Sequence, residues 1–309
     1  MSLNVIYGID NFILDGSATV VTIGTFDGLH LGHQAILHKL MDSAKKKGVH
    51  ALAITFEPHP RMLVTPDSPP PLLTVLNEKI KLMKNYVDGS LLVLNFNEQL
   101  MNMNARTFTE KYLVEKIKLA KLIVGYDHAF GKDRSGTIND LMALSKEHNF
   151  ELEIVNPVLV DGKPISSTRI RNLISDKNFK AAKELFGHPY PLSGKIIRGI
   201  GLGKKIGFPT ANIDVNSRKL LPKDGVYSCS LEQAGRNLRG MMFIGKNHFN
   251  PEEGKSIEVN IFDFDEDIYD QELFCYPEQF VRENMKFDDT SQLVEQLKLD
   301  KKNIMRLIK

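Results

Sequence analysis

The sequence predicts an α/β domain on a parallel sheet, followed by a small antiparallel β-barrel with a C-terminal helix. Three observations carry this expectation. Up to Phe186, β-branched apolar runs alternate with segments of helical period. The stretch Gly187-His-Pro-Tyr-Pro-Leu-Ser-Gly194 then has linker composition. Beyond it, period-2 runs punctuated by turn residues take over. The expected domains are 1–186 and 187–309, in keeping with a length of 309 residues at roughly 150 per domain.

In order along the chain, Ala18–Gly24 is an apolar run suited to a strand buried on both faces. Ile36, Leu37, Leu40, Met41 and Ala44 follow at helical spacing. Lys45, Lys46 and Lys47 complement the end of that helix, and Gly48 stops it. His50–Phe56 is the next buried strand, so the segment is a βαβ unit with a right-handed crossover. Ser90–Phe96, Ala120–Tyr126 and Glu151–Pro157 read as further strands, with helices near Ala105–Lys118, Thr168–Ile174 and Phe179–Leu185. Pro66–Pro71 is a surface loop. In the second half, Lys195–Arg198, Val226–Leu231, Leu238–Ile244, Ile257–Phe264 and Glu272–Phe280 read as strands, two of them joined by a hairpin turn at Gln233–Asn237. A terminal helix, Ser291–Ile308, presents Leu293, Leu297, Ile304 and Ile308, with Asp289 and Thr290 as candidate caps.

Composition narrows the function. With 40 Lys+Arg against 38 Asp+Glu, the net charge is +2, which excludes a strongly basic nucleic-acid binder. Hydrophobic content of 42% and charge of 25% are those of a soluble globular protein. No run approaches the roughly 20 apolar residues of a membrane helix. The opening MSLNVIYGIDNF lacks the layout of a secretion signal, so the expected location is cytoplasmic. Cys229 and Cys275 form neither a disulfide framework nor a zinc spacing, and both read as buried thiols in strands. Oligomeric state is left open.

Gly24-Thr-Phe-Asp-Gly-Leu-His-Leu-Gly-His33 lies where the first strand hands over to its helix. Glycines there let backbone N–H groups approach an anion, and the helix N-terminus adds about half a positive charge. His30 and His33, three apart, share one side of the opening turn. Gly32 removes a side chain that would crowd a phosphate. In isolation H-x-G-H reads as a glycine turn with two surface histidines; at a strand–helix junction the anion site is the better reading. Ile165-Ser-Ser-Thr-Arg-Ile-Arg171 adds hydroxyls and two guanidinium forks at the mouth of a helix. A plain N-cap with solvated arginines is its bland alternative.

Together with Phe56-Glu-Pro-His-Pro60, the first string resembles the nucleotidyltransferase superfamily, whose H-x-G-H motif holds the triphosphate of ATP. It is similar in particular to the bacterial bifunctional riboflavin kinase/FMN adenylyltransferases. The resemblance implies a Rossmann-like nucleotidyltransferase domain followed by a riboflavin kinase barrel. It implies His30 and His33 as catalytic groups, with Gly24, Phe26, Asp27, Gly32 and His59 on the nucleotide. Ser166, Ser167, Thr168, Arg169 and Arg171 would form a second phosphate motif. Val124-Gly-Tyr-Asp-His-Ala-Phe-Gly131, with Asp127, would line the nucleotide and flavin pocket; the family usually has Phe-Arg where this chain has His128-Ala129. In adenylyl transfer to FMN the nucleophile is an ionised phosphate oxygen, so positioning and electrostatics suffice without a general base. Mg²⁺ is expected on the phosphates, with Asp127 a candidate oxygen.

In the second half, Gly199-Ile-Gly-Leu-Gly-Lys-Lys-Ile-Gly-Phe-Pro-Thr-Ala-Asn212 has the glycines of a loop that wraps phosphates. Thr210 and Asn212, two apart in extended chain, place two hard oxygens on one side for Mg²⁺. The string resembles the riboflavin kinase signature G-F-P-T-A-N, which implies Gly207 and Pro209 in nucleotide binding and Thr210 and Asn212 at the metal. Glu258, in an alternating strand, is a solvent-facing glutamate on base rates; the resemblance makes it the base for riboflavin's hydroxyl. Arg282 belongs to a Val281-Arg-Glu-Asn-Met-Lys-Phe287 element in which Asn284 stands at the family's glutamate. Phe243-Ile-Gly-Lys-Asn-His-Phe249 and Ile268-Tyr-Asp270 also depart from the family pattern. The expected activity is riboflavin to FMN in the barrel and FMN to FAD in the first domain, with ATP as co-substrate. The alternatives are a monofunctional FAD synthetase with a degenerate kinase domain and a non-catalytic nucleotide- or flavin-binding regulator. Other adenylyl- or cytidylyltransferases lack the barrel, and a class I tRNA synthetase needs a K-M-S-K-S loop that is absent here.

Overall fold

The computed structural model describes residues 2–13, 16–128, 130–132, 136–246 and 255–307. These form two compact units, Met1–Ser166 and Ser167–Lys309. Elements of the first unit are β1 Leu3–Tyr7, β2 Thr19–Ile23, α1 Leu31–Lys47, β3 His50–Glu57, α2 Arg61–Val64, α3 Leu76–Met83 and β4 Gly89–Asn95. Next come α4 Glu98–Met101, α5 Ala105–Phe108, β5 Leu119–Gly125, α6 Ile138–Glu147, β6 Glu151–Val155, β7 Leu159–Val160 and β8 Lys163–Pro164. The second unit holds α7 Ser167–Ser175, α8 Phe179–Phe186, β9 Leu192–Ile197, α9 Leu202–Lys205, β10 Ala211–Val215 and β11 Gly225–Gln233. It ends with β12 Arg236–Lys246, β13 Lys255–Ile261, β14 Glu272–Arg282 and α10 Thr290–Leu307.

The first unit is built on a six-stranded sheet of order β1-β4-β3-β2-β5-β6, parallel at every pairing. Every residue of β2 is buried, as a strand covered on both faces requires. Val21, Ile23, Leu52 and Ile54 point to one face, where Phe108, Leu113, Leu141 and Leu144 pack. Val20, Ala51, Ala53 and Val93 point to the other, under Leu37, Leu40 and Met83 of α1 and α3. α1 stops as its sequence predicts, at Gly48 with φ 66°, after three lysines. The helix expected over Ala105–Lys118 is more complex: α5 is one turn, and Thr109–Lys116 continues it in π geometry. β1, α3 and α6 are additions to the expected elements.

Chain order reverses at β2, which has β3 on one side and β5 on the other. The crevice beyond the carboxyl ends of β2 and β5 is therefore the topological switch point, where open parallel sheets bind ligands. Both the Gly24–His33 string and Asp127 lie there.

The second unit is a closed barrel of order β10-β13-β12-β11-β14-β9, antiparallel throughout. The expected hairpin is a two-residue turn: Gln233 pairs with Arg236, and Ala234 and Gly235 have φ 47° and 79°. Positive φ at both positions matches the twist of the flanking strands. Cys229 and Cys275 are buried, and burial pushes both thiols far up, so they are inert packing groups. α7 and α8 pack with the barrel. Phe179 meets Tyr227 edge-on at 5.7 Å, and Lys177 pairs with Glu283 at 2.6 Å. The spatial division thus falls at Ser166/Ser167, ahead of the Gly187 linker, because those helices bury their apolar faces on β-strands.

α10 is capped by Asp289, whose Oδ1 accepts from the Gln292 N–H at 2.9 Å. Its Ile304 joins Val226, Met241 and Phe262 in a cluster. Asp300, 1% exposed, accepts from Arg282 of β14 at 2.7 Å. Breaking such a pair leaves a charge uncompensated, so Asp300→Ala is expected to cost about 3–5 kcal/mol. Urea denaturation followed on the barrel's transition measures it.

Candidate active sites

Gly24–His30 leaves β2 as a strained turn. Phe26 and Leu29 have φ 48° and 40°, which bulky residues rarely adopt, and both are buried. Such strain persists only where surroundings over-determine it. Asp27 supplies that constraint: its Oδ1 accepts the N–H groups of Leu73 at 2.9 Å and Thr74 at 3.0 Å. Gly28 N–H donates to the Thr74 hydroxyl at 2.9 Å. The carboxylate thus bolts the turn to the segment that leads into α3. Gln34 braces the turn from α1, donating to the Leu29 carbonyl at 2.8 Å.

His30 is the N-cap of α1, its Nδ1 accepting weakly from the His33 N–H at 3.4 Å. In the neutral ring the proton then sits on Nε2. The two imidazoles stack at 3.7 Å and 14°, so spacing three apart does bring both rings to one side. Gly32 serves this stack: a Cβ there would sit 3.2 Å from the His30 ring. Gly24 likewise clears the Phe26 ring, and the edge of that ring meets His33 at 5.5 Å. Burial, then His30, then Lys79 hold the His33 pKa well below 6.5. Its buried Nδ1 has no hydrogen-bond partner within the described residues.

Lys79 is absent from the sequence-based expectations. It lies on α3, 3% exposed, and donates to Thr55 Oγ1 at 3.3 Å. Burial lowers its pKa, opposed by the charges of Asp27 and Glu57. Glu57, at the end of β3, is raised by burial and lowered by Lys79. A signal existed in the i, i+4 pair Lys79 and Met83, which puts the lysine on the apolar face of its helix. His59 lies just past β3, its Nδ1 accepting from the Arg61 N–H at 3.2 Å. Asp127 is exposed just past β5. Ser166 closes the first unit, while Ser167, Thr168, Arg169 and Arg171 occupy the first turns of α7 around buried Ile170. Ala129 and residues 247–249 lie outside the described residues.

The barrel carries the second site. Gly201 and Gly207 take φ 72° and 80° on either side of α9. Gly199 has no room for a Cβ because the Asn212 side chain fills that space. Asn260 of β13 donates to the Pro209 carbonyl at 2.7 Å and clamps the loop. β10 pairs with β13 so that Asn212 faces Glu258, and the Thr210 hydroxyl donates to Glu258 Oε2 at 3.2 Å. A hydroxyl, an amide and a carboxylate therefore converge, a hard-oxygen set fitted to Mg²⁺. They line a cleft of about 1550 Å³ with Arg198, Asn260 and Arg282. Arg282 also serves the fold, through Asp300 and the Glu283 carbonyl at 2.9 Å. Asn284 donates to the Ile244 carbonyl at 3.2 Å, within the barrel wall.

A parallel sheet with a histidine-lined helix N-terminus at its switch point, joined to a barrel with a glycine loop and a carboxylate, defines a two-site phosphoryl- and nucleotidyl-transfer protein. Comparison with known proteins agrees. The FAD synthetase family matches residues 14–169, and the riboflavin kinase family residues 186–308. A bifunctional riboflavin kinase/FMN adenylyltransferase of Listeria monocytogenes is 35% identical over 92% of this chain and 90% of its own. One from Pseudomonas fluorescens is 33% identical over 96% of both chains. A Streptococcus pneumoniae crystal structure described as a macrolide-efflux protein shares 33% identity, with TM-score 0.82 over 97% of each chain. No helix among the described residues here is long and apolar enough to cross a membrane. The chain belongs to the bifunctional riboflavin kinase/FMN adenylyltransferase family.

The depressed His33 pKa sets a pH dependence. Below 6.5 the unfolded chain binds a proton that folded His33 refuses. The unfolded state then carries more protons, so stability falls as pH drops through that range and is retained above it. His33→Gln is expected to flatten this acid limb of the first unit's stability, measured by urea titration between about pH 5 and pH 7.5, a window bracketing the imidazole's ordinary pKa.

Proposed function

We propose that this chain carries both activities of its family, adenylyl transfer on residues 1–186 and riboflavin phosphorylation on residues 187–309. The stacked His30–His33 pair at the switch point carries the first assignment. There a phosphate oxygen of FMN attacks the α-phosphorus of ATP, and pyrophosphate departs. The His30 Nε2–H, the α1 N-terminus and its backbone N–H groups receive the charge that moves onto the departing oxygens. The nucleophile needs no base. Ser166, Ser167, Thr168, Arg169 and Arg171 are assigned to phosphate, and Gly24, Phe26, Gly32, His59 and Asp127 to the nucleotide and flavin, on motif grounds. Asp27 shapes the turn.

In the barrel, Glu258 takes the proton from riboflavin's terminal hydroxyl as that oxygen attacks the γ-phosphorus of ATP and ADP leaves. The Thr210 hydroxyl holds the carboxylate on its inner side. Thr210 and Asn212 would hold Mg²⁺, which neutralises phosphate charge when bound. Gly207 and Pro209 shape the phosphate loop, and Arg282 lines the same cleft. Substrates are small molecules, and the assigned location is the cytoplasm, where ATP is abundant.

The test incubates the full chain with riboflavin, ATP and Mg²⁺ and separates the flavins over time. FMN appearing before FAD supports both sites; FAD formed only from added FMN selects a degenerate kinase domain. His30→Ala is expected to lower FAD formation by about 10²–10³-fold with FMN formation unchanged. Glu258→Gln is expected to lower FMN formation by about 10²–10⁴-fold with FAD formation from supplied FMN intact. Equal loss of both activities in either variant would rule out independent sites.

A further inference from the structure

α3 turns Leu76, Ile80 and Met83 toward the sheet core. Lys79 is buried beside them, though lysine is almost never fully buried unless paired. Its ammonium has the Thr55 hydroxyl at 3.3 Å, and no carboxylate lies within ion-pair distance of it among the described residues. Thr55, in turn, donates to the Thr25 carbonyl at 3.2 Å, inside the H-x-G-H turn's own approach. The Asp27 bracket ties the segment before α3 to that same turn. At the turn, the buried Nδ1 of His33 also lacks a partner among the described residues. An interior cation without an ion pair and an unsatisfied imidazole are thus both fastened to one turn.

We propose that Lys79 is a positioning residue for adenylyl transfer: its interior ammonium, held by Thr55 against the approach to the H-x-G-H turn, supports that turn and draws the polyphosphate of ATP into it. The inference rests on the adenylyltransferase reading of the first domain. The charged groups that act on this lysine are Asp27 after β2 and Glu57 at the end of β3, and the lysine in turn acts on His33 of α1. Glu78, its neighbour on α3, is engaged by the Val75 N–H at 3.1 Å. Burial, then His30, then this ammonium discourage a proton on His33, so that ring meets ATP uncharged. The positive charge that the phosphates need is then contributed by the lysine rather than by the imidazoles.

The test uses the full-length chain as wild type, Lys79→Met and Lys79→Arg, with riboflavin phosphorylation in the same preparation as the folding control. FAD formation from FMN and ATP is measured from about pH 5.5 to pH 9, spanning the imidazole's ordinary pKa, with kcat and KM for ATP separated. Lys79→Met is expected to lose about tenfold or more in kcat/KM for ATP, as loss of a preorganised charge does. Its acid limb should move to higher pH, and Lys79→Arg should restore both. Retention of the wild-type rate and limb in Lys79→Met would overturn the proposal. So would equal impairment of both variants with the limb unmoved, since that marks a packing role. A wild-type chain that makes no FAD would instead overturn the adenylyltransferase reading. If Lys79→Met loses the folded first unit, Thr55→Val takes its place. Removing only the hydroxyl should raise KM for ATP by about two- to fivefold, the worth of one ordinary hydrogen bond, and an unchanged KM would refute the proposal.

Discussion

The buried carboxylate of Asp27 carries more of this molecule than its single position suggests. It accepts two backbone N–H groups from the segment before α3, while the next residue's N–H bonds the Thr74 hydroxyl. These bonds hold a turn whose Phe26 and Leu29 sit in left-handed backbone, a conformation that would relax without them. The turn in turn sets where α1 begins, and with it the N-cap imidazole and its stacked neighbour. Along the chain, Asp27 sits in a phosphate-binding string and invites a ligand role. In space it is the fastener that makes the string rigid enough to bind.

Rigidity matters because the two reactions ask for different things. Transfer of an adenylyl group to a phosphate needs oriented donors in a dry environment, where fixed dipoles act strongly and need no reorganisation. The first site accordingly has stacked imidazoles at a helix N-terminus, His33 held toward its uncharged form by burial, and an interior lysine nearby. Transfer of a phosphoryl group to an alcohol needs a proton acceptor as well. On the proposed reading the barrel supplies Glu258 on a strand, with the Thr210 hydroxyl donating to it and Asn212 in register beside it. Each scaffold suits its chemistry, since a helix start collects donors and a sheet aligns side chains across neighbouring strands.

Glycines illustrate how one residue type serves unlike ends. Gly32 reads as clearance for a phosphate, yet its missing Cβ also makes space for the His30 ring against which His33 stacks. Gly199 similarly yields its volume to the Asn212 side chain. In both cases the glycine shapes protein against protein, and that contact holds the functional side chain in place.

Periodicity and turn chemistry are local, and so β2, α1, β3, the Ala234-Gly235 hairpin and the alternating barrel strands were legible along the chain. So were the strings at His30–His33 and Pro209–Asn212, because each gathers its residues in a few consecutive positions, whereas Glu258 stood out only by resemblance. What the chain order concealed was partnership. The edge strand β1 is half-exposed and lacks the continuous buried apolar run of β2, and the π stretch after α5 has an ordinary helical pattern. Nothing along the chain announces that α10 brings Asp300 against Arg282, or that α3 turns Lys79 inward. A period shows which face a residue occupies, whereas only packing decides what that face meets, and the energies of buried charges depend on the meeting.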